Sequence, residues 1–476
     1  MNRNYLNSAD MAEDLGTAEG EAQFTGRQLV IFKEQDQGEA ESGRTMRSFL
    51  HHKAGLRDIA SVADVAEDMY EAEQFAAAES VDLGWLGIAI VNADPDRGAA
   101  LSLAANDPES PVEMVIPERY DHLFNNRLDP AGTIFPTEDF TAQLGVMPPA
   151  EADDLGVLED PAAIRRVGRL LRLLVRLAEA LEPEAASETV ALAAPQAFSD
   201  STTATWGLIA TRVPTSRYAG RGVRVAVLDT GFAQGHPDFV GRRIVSRSVV
   251  PGVSPQDING HGTHCIGTAC GSLRPTSGPR YGVAWGAEIY AYKVFDNAPR
   301  PGARQGDVIT AMGLANRAGC RVISLSLGSD TNGVVNSAYE QAIRGVRRAG
   351  SLVVCASGNA GRTNRPRTGA PANSPSAISV GAVDPSLRCA DFSSYGKVEI
   401  AAPGVNVLSS FLQGTTRRLN GTSMATPHVA GIAALMLEQN RNFTPDQLEL
   451  MIQRTARSLA PQNQTHVGRG LVQAPQ

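Results

Sequence analysis

The chain has 476 residues, with 43 Lys+Arg against 51 Asp+Glu, a formal net charge of −8, 42% hydrophobic and 20% charged residues. That is ordinary globular composition, long enough for two or three domains. No apolar run reaches the ~18 residues of a transmembrane helix, and five cysteines without paired spacing (Cys265, Cys270, Cys320, Cys355 and Cys389) exclude a disulfide scaffold and suggest reduced thiols.

Residues 1–26 are polar and acidic and are expected to be a disordered or flexible amino terminus. They lack the apolar core of a signal peptide, so a cytoplasmic location is expected, with leaderless export left open. Residues 27–125 hold the first folded unit. RQLVIFK (27–33) alternates like a strand. RTMRSFLHHKAG (44–55) reads as a helix closed by Gly55. LRDIASVAD (56–64) and WLGIAIVNAD (85–94) read as strands, PDRGAALSLAAND (95–107) as a helix begun by Pro95, and PVEMVIPERY (111–120) as a strand. The order β-α-β-β-α-β predicts a small α+β, ferredoxin-like domain, with an acidic, Ala-rich insertion over 65–84.

Residues 126–198 read as a linker that contains one amphipathic helix over 161–182. Ile164, Val167, Leu170, Leu171, Leu174, Val175, Leu177 and Leu181 share one side of it, and five arginines share the other. Such a helix packs on another domain, lies on a membrane surface or takes a separate partner; its acidic flanks favour packing. Charge is split across this linker. Residues 1–198 carry 15 − 36 = −21 and residues 199–476 carry 28 − 15 = +13, which sum to −8. An acidic front half and a basic back half suggest partners within one chain.

The back half holds the chemistry. GVRVAVLDTGF (222–232) is a buried parallel strand that ends in Asp229, where open α/β sheets carry their ligand chemistry. In NGHGTHCIGTACG (259–271), His261 stands between two glycines at the head of a helix of small residues. It is the candidate base, and His264 is read as a structural histidine. RVISLSLGS (321–329) and LVVCASGNAG (352–361) are further strands. In NGTSMATPHVAG (420–431), Ser423 precedes an apolar helix, with Pro427 placed in its first turn. Amide groups and the positive dipole end at that helix head suit a developing negative charge. A serine hydroxyl needs such a base to become a nucleophile. Nothing in the chain points to nucleic acid or a dinucleotide.

These segments, in the order Asp, His, Ser, resemble the three active-site motifs of the subtilisin-like serine proteases, over roughly the last 275 residues. The resemblance implies a three-layer α/β/α domain over 199–476 with a mostly parallel sheet, acting on polypeptide substrates. It implies Ser423 as nucleophile, His261 as base, Asp229 as its orienting carboxylate and Asn359 as oxyanion donor. It further implies Ser326, Leu327 and Gly328 as the edge that pairs with extended substrate. Ala356, Ser357 and Gly358 would wall the main pocket and Gly369 would floor it; their small, uncharged character implies an apolar preference before the scissile bond. Val308 and Leu327 would line a further apolar subsite. The amino-terminal domain resembles the inhibitor propeptide of these enzymes. A self-inhibited precursor is therefore expected, cut within 189–205, with the segment before Trp206 lying on the substrate edge. No cofactor is required. Asp238 matches a calcium-ligand position, but the loop 271–282 offers no second carboxylate, so a calcium site there is expected to be absent or weak.

Overall fold

A computed structural model of the chain describes residues 24–34, 39–64, 72–123, 197–361 and 367–476. The first 23 residues and most of the linker, including the helix expected over 161–182, lie outside the described residues.

The amino-terminal domain is built from β1 (Phe24–Phe32), α1 (Glu39–His52), β2 (Ile59–Ser61), α2 (Ala72–Ala77), β3 (Ser80–Leu83), β4 (Ile88–Asn92), α3 (Pro95–Ala105) and β5 (Val112–Leu123). Its strands lie in the order β5-β1-β4-β3-β2. All neighbours are antiparallel except β2 and β3. The helix begun by Pro95 starts where expected because the Asp94 side chain accepts the Arg97 N–H at 2.9 Å. Of the stretch read as an insertion, residues 72–84 are part of the fold: β3 lies there, paired to β4, and moves β2 to the sheet edge. Its sequence conceals this because a charged residue, Asp82, sits fully buried in the strand, held by Arg47 at 2.9 Å.

The second part contains α4 (Trp206–Ala210), β6 (Arg224–Asp229), β7 (Ile244–Ser248), α5 (His261–Cys270), β8 (Glu288–Lys293), β9 (Gly302–Arg304), α6 (Gln305–Arg317), β10 (Val322–Leu325), β11 (Leu327–Gly328), α7 (Ser337–Arg348), β12 (Leu352–Ala356), β13 (Ile378–Val383), β14 (Ile400–Pro403), β15 (Val407–Ser410), β16 (Thr416–Leu419), α8 (Thr422–Gln439), α9 (Pro445–Arg454) and α10 (Gln464–Val467). Seven strands form one sheet in the order β14-β13-β12-β10-β6-β8-β7. Every pairing in it is parallel. Helices cover the sheet, which explains the near-continuous apolar runs of β6, β10 and β12.

The two parts share one unit. One face of the amino-terminal sheet packs on its own helices through Val30, Phe32, Met46, Leu50 and Leu101. The other face joins the core of the second part, with Ile31, Leu86, Ile90 and Leu123 in one apolar cluster with Val308, Met312, Tyr339 and Ile343. Gly313 and Gly345 in α6 and α7 make room for this docking. A Cβ added at either would come within 2.7 Å of Trp85 or 2.9 Å of Leu86. Glycine inside a helix costs about 1 kcal/mol relative to alanine, so close approach is the gain that offsets it. No described helix is long and apolar enough to cross a membrane.

Candidate active site

Asp229 closes β6 at the carboxyl end of the parallel sheet and is 1% exposed. Its Oδ1 accepts the Thr230 N–H at 2.7 Å and lies 2.8 Å from His261 Nδ1. His261 is the first residue of α5 and is buried. Gly260 before it takes a left-handed φ of 96°, and a Cβ on Gly262 after it would fall 2.4 Å from the Gly231 carbonyl. The two glycines thus permit both the turn and the close approach of α5 to the end of β6.

Burial disfavours the His261 imidazolium, but Asp229 and Cys265 together, by charge and hydrogen bonding, outweigh it and raise the pKa well above 6.5. His261 Nε2 is buried and makes no hydrogen bond to a described residue. His264 is fully buried, with Nε2 3.0 Å from the Val407 and Arg417 carbonyls. Burial pulls its pKa down to about 3, which keeps it neutral.

Ser423 is the second residue of α8 and is 1% exposed. Its hydroxyl donates to the Ser326 carbonyl at 3.3 Å, and its own carbonyl accepts from Ser326 Oγ at 3.0 Å and from the Cys265 thiol at 3.5 Å. Pro427 lies inside the helix, beyond the first turn where the sequence placed it. This position has a use. Pro427 cannot donate the helical bond that the Ser423 carbonyl would otherwise accept, so that carbonyl is available to Ser326 and Cys265.

Asn359 follows β12. Its Oδ1 accepts from the Thr422 N–H at 3.0 Å and the Thr422 hydroxyl at 2.9 Å. This fixes the amide so that Nδ2 lies over Gly421, 3.2 Å from where a Cβ there would stand. The amide donor end thus faces the head of α8, beside Ser423. Leu327 and Gly328 form β11, next to Ser326. The wall residues Ala356, Ser357 and Gly358 are buried. Gly358 N–H donates to Thr422 Oγ1 at 3.2 Å, and Gly369 N–H donates to the Ser357 carbonyl at 3.2 Å. Asp229, His261, Ser423, Asn359 and the expected pocket residues therefore belong to one connected site.

Asp238 stands apart. Its Oδ1 accepts from the Thr276 N–H at 2.6 Å and the Thr276 hydroxyl at 2.7 Å, and its Oδ2 accepts from the Tyr281 hydroxyl. Burial pushes its pKa up, but these donors outweigh it and hold the carboxyl below its ordinary value. A cation needs oxygen lone pairs, and this carboxylate is ringed by N–H and O–H donors. A calcium ligand does not fit here; Asp238 instead ties the loop 271–282 to the fold. Asp229, His261 and Cys265 also offer ligand atoms within 4.8 Å of one another. Asp229 and His261 are bonded to each other, however, and burial raises the Cys265 thiol pKa, which disfavours the thiolate a metal would need.

Asp257 escaped the sequence reading. It is 1% exposed and accepts from the N–H groups of Asn259, Gly260 and Thr263 and from the Thr230 and Thr263 hydroxyls. It fixes the head of α5 against the turn after Asp229. Its place four residues before His261, ahead of a helix start, was the available signal.

Strand β11, expected to be the edge that pairs with substrate, is already paired. His122 and Leu123 at the end of β5 lie antiparallel to Gly328 and Leu327. On its other side β5 pairs antiparallel with β9, through Tyr120 with Arg304, Asp121 with Ala303 and His122 with Gly302. The segment before Trp206, expected on this edge, lies elsewhere: Ala204 bridges Arg280, and Phe198 N–H donates to the Pro385 carbonyl. Residues 189–196 of the stretch expected to be cut are outside the described residues.

The sequence profile of the subtilase family matches residues 220–470. Subtilisin BL of Lederbergia lenta is 42% identical over 274 residues, covering 56% of this chain and 96% of that relative. Thermitase of Thermoactinomyces vulgaris is 40% identical over 225 residues, 47% of this chain and 77% of that relative. The crystal structure of a cold adapted subtilisin-like serine proteinase superposes with a TM-score of 0.51 at 30% identity, covering 58% of this chain and 99% of its own. Fold and relatives together make this protein a serine endopeptidase. The chain belongs to the subtilase family; the profile begins at residue 220, so the amino-terminal domain is read from its own geometry.

Proposed function

We propose that the protein is made as a self-inhibited precursor of an endopeptidase that works through Ser423. His261 Nε2 takes the hydroxyl proton as Ser423 Oγ attacks the peptide carbonyl carbon. Asp229 steadies the resulting imidazolium, and the Asn359 amide and the Ser423 N–H hold the oxyanion. On collapse the C–N bond breaks and the amine leaves with the proton from His261. Water then hydrolyses the ester by the same route in reverse. Small, uncharged Ala356, Ser357, Gly358 and Gly369 favour an apolar side chain before the scissile bond.

The observation that carries the precursor reading is the antiparallel register of His122 and Leu123 on Gly328 and Leu327. The tail of the amino-terminal domain occupies the edge on which extended substrate would add a strand. The residue that follows Leu123 in sequence is Phe124, an apolar side chain of the kind the pocket favours. The first cut is therefore assigned to the bond between Phe124 and Asn125 rather than to 189–205, after which the domain stays bound as an inhibitor. A fluorophosphonate probe tests the nucleophile. It should label the processed wild type at Ser423 and leave Ser423→Ala unlabelled; a processed enzyme that takes no label and cuts no unfolded protein would refute the reading.

A further inference from the structure

We propose that the subsite three positions upstream of the main pocket selects an acidic side chain, and that Tyr339, Gln305 and Ser329 read it. The inference rests on the protease reading above. The position is fixed by register. Leu123 lies opposite Leu327, so a substrate residue one step further along would face Ser326, whose carbonyl meets the Ser423 hydroxyl. Such a residue is the one just before the scissile bond. Asp121 is then the fourth residue before that bond, with β9 on one side of it and β11 near the other.

Asp121 is wholly buried. Its Oδ2 accepts from the Tyr339 hydroxyl in α7. Ser329 and Gln305 face the same carboxylate closely enough to favour its charge. Neither reaches strict hydrogen-bond geometry, so Asp121 Oδ1, Ser329 Oγ and Gln305 Nε2 remain buried without a partner. The Gln305 amide is oriented for this purpose. Its Oε1 accepts from the Arg119 N–H and from Asn336 Nδ2, each at 3.4 Å, which turns the donor end toward Asp121. Tyr339 and Gln305 are themselves 0% and 1% exposed.

A hollow built for an apolar side chain would leave these three donors unsatisfied, which is costly in a buried site. The Asp121 carboxyl gives the Tyr339 hydroxyl its acceptor and brings oxygen toward the other two donors. Val308 and Leu327, expected to line a further apolar subsite, are buried in the apolar cluster that also contains Leu123 and Tyr339. The donors at the end of the hollow set what enters. Sites built to hydrogen-bond a substrate group reject analogues that lack it more strongly than apolar sites reject a surplus methylene.

The test uses enzyme purified after self-processing of the full chain and four p-nitroanilides, X-His-Leu-Phe, with Asp, Ala, Leu or Lys at X. Measured at pH 5, below the value of about 6 to which burial raises the docked Asp121 carboxyl, the kcat/KM for Asp should exceed that for Ala by about tenfold, the size of one good hydrogen bond, and should exceed that for Leu as well. In Tyr339→Phe and, separately, Gln305→Ala, the Asp-to-Ala ratio should fall severalfold; either variant that folds suffices. Hydrolysis in which Leu matches or exceeds Asp overturns this inference and leaves the protease standing. Failure to hydrolyse any of the four overturns both.

Discussion

Ser326 and Ser423 hold each other through two reciprocal bonds: the Ser423 hydroxyl donates to the Ser326 carbonyl at 3.3 Å, and the Ser326 hydroxyl donates to the Ser423 carbonyl at 3.0 Å. The strand that would pair with substrate is thereby tied to the residue that would attack it. Removing the Ser326 hydroxyl leaves its carbonyl in place but leaves the Ser423 carbonyl with only the weak Cys265 thiol donor at 3.5 Å, since Pro427 cannot supply another. Ser326→Ala should cost about 1 kcal/mol or more of stability by denaturant unfolding. It should also lower kcat severalfold with less change in KM, because it loosens the nucleophile rather than the pairing edge. An unchanged kcat would show that Cys265 alone anchors that carbonyl.

Activity should have a distinct acid limb. His261 accepts a proton only when neutral, and Asp229 and Cys265 together raise its pKa well above 6.5 despite burial. As pH falls through that raised value the base is lost, so kcat/KM should climb with pH and reach half its plateau above pH 6.5. Asp229→Asn should lower both the plateau and the half-point. A wild-type half-point below pH 6 would contradict the pairing.

Docking of the amino-terminal domain should weaken on the alkaline side. Burial raises the Asp121 carboxyl from 3.8 to about 6, against the opposing pull of Tyr339, Ser329 and Gln305 and with a further push from Glu118. Burial likewise raises Asp307, which Arg27 and Arg304 oppose and Glu118 assists. A group whose pKa is raised on docking favours the docked state fully below its ordinary value, and that help is lost as pH rises through the docked value. For Asp121 the window runs from 3.8 to about 6 and is worth up to about a hundredfold in affinity. After self-cleavage, the domain should co-elute with the enzyme at pH 5 and separate more readily at pH 8. Asp121→Asn should flatten that dependence; equal retention at both pH values in the wild type would contradict it.

Asp238 should matter to stability while calcium does not act through it. In a Ser423→Ala background, which prevents self-digestion, Asp238→Ala removes the acceptor of the Thr276 and Tyr281 donors. It should destabilise the protein by about 2–3 kcal/mol. Chelation by EDTA should leave the melting temperature of the Asp238-containing parent where it was. A large drop on chelation that Asp238→Ala abolishes would restore the calcium reading.

The sequence exposed the catalytic half well, because its signals are local. A parallel strand buried on both faces must be an apolar run, and Asp229, His261 and Ser423 each stand where such a strand or a small-residue helix begins or ends. What it hid depends on distant pairing. VEMVIPERYDHL alternates like a strand, but nothing in it says that its partners include Leu327 and Gly328, some 200 residues away. Glu118 was invisible for the same reason. It is fully buried, accepts from Arg27 at 2.6 and 2.5 Å, and caps the head of α6 through the Gly306 N–H at 2.7 Å. Buried charges such as Asp82 and Asp257 break the apolar patterns that reveal elements, and their roles become legible only when their partners are in view.

The most direct test of the account is the intact mass of the purified wild-type chain beside Ser423→Ala. The serine variant should remain whole at 50.3 kDa. The wild type should resolve into two pieces, with a new amino terminus at Asn125 and the amino-terminal fragment retained until it is degraded. An uncut wild type that nevertheless digests unfolded protein, or a Ser423→Ala chain cut at the same bond in the same yield, would contradict the claim that Ser423 releases its own inhibitor.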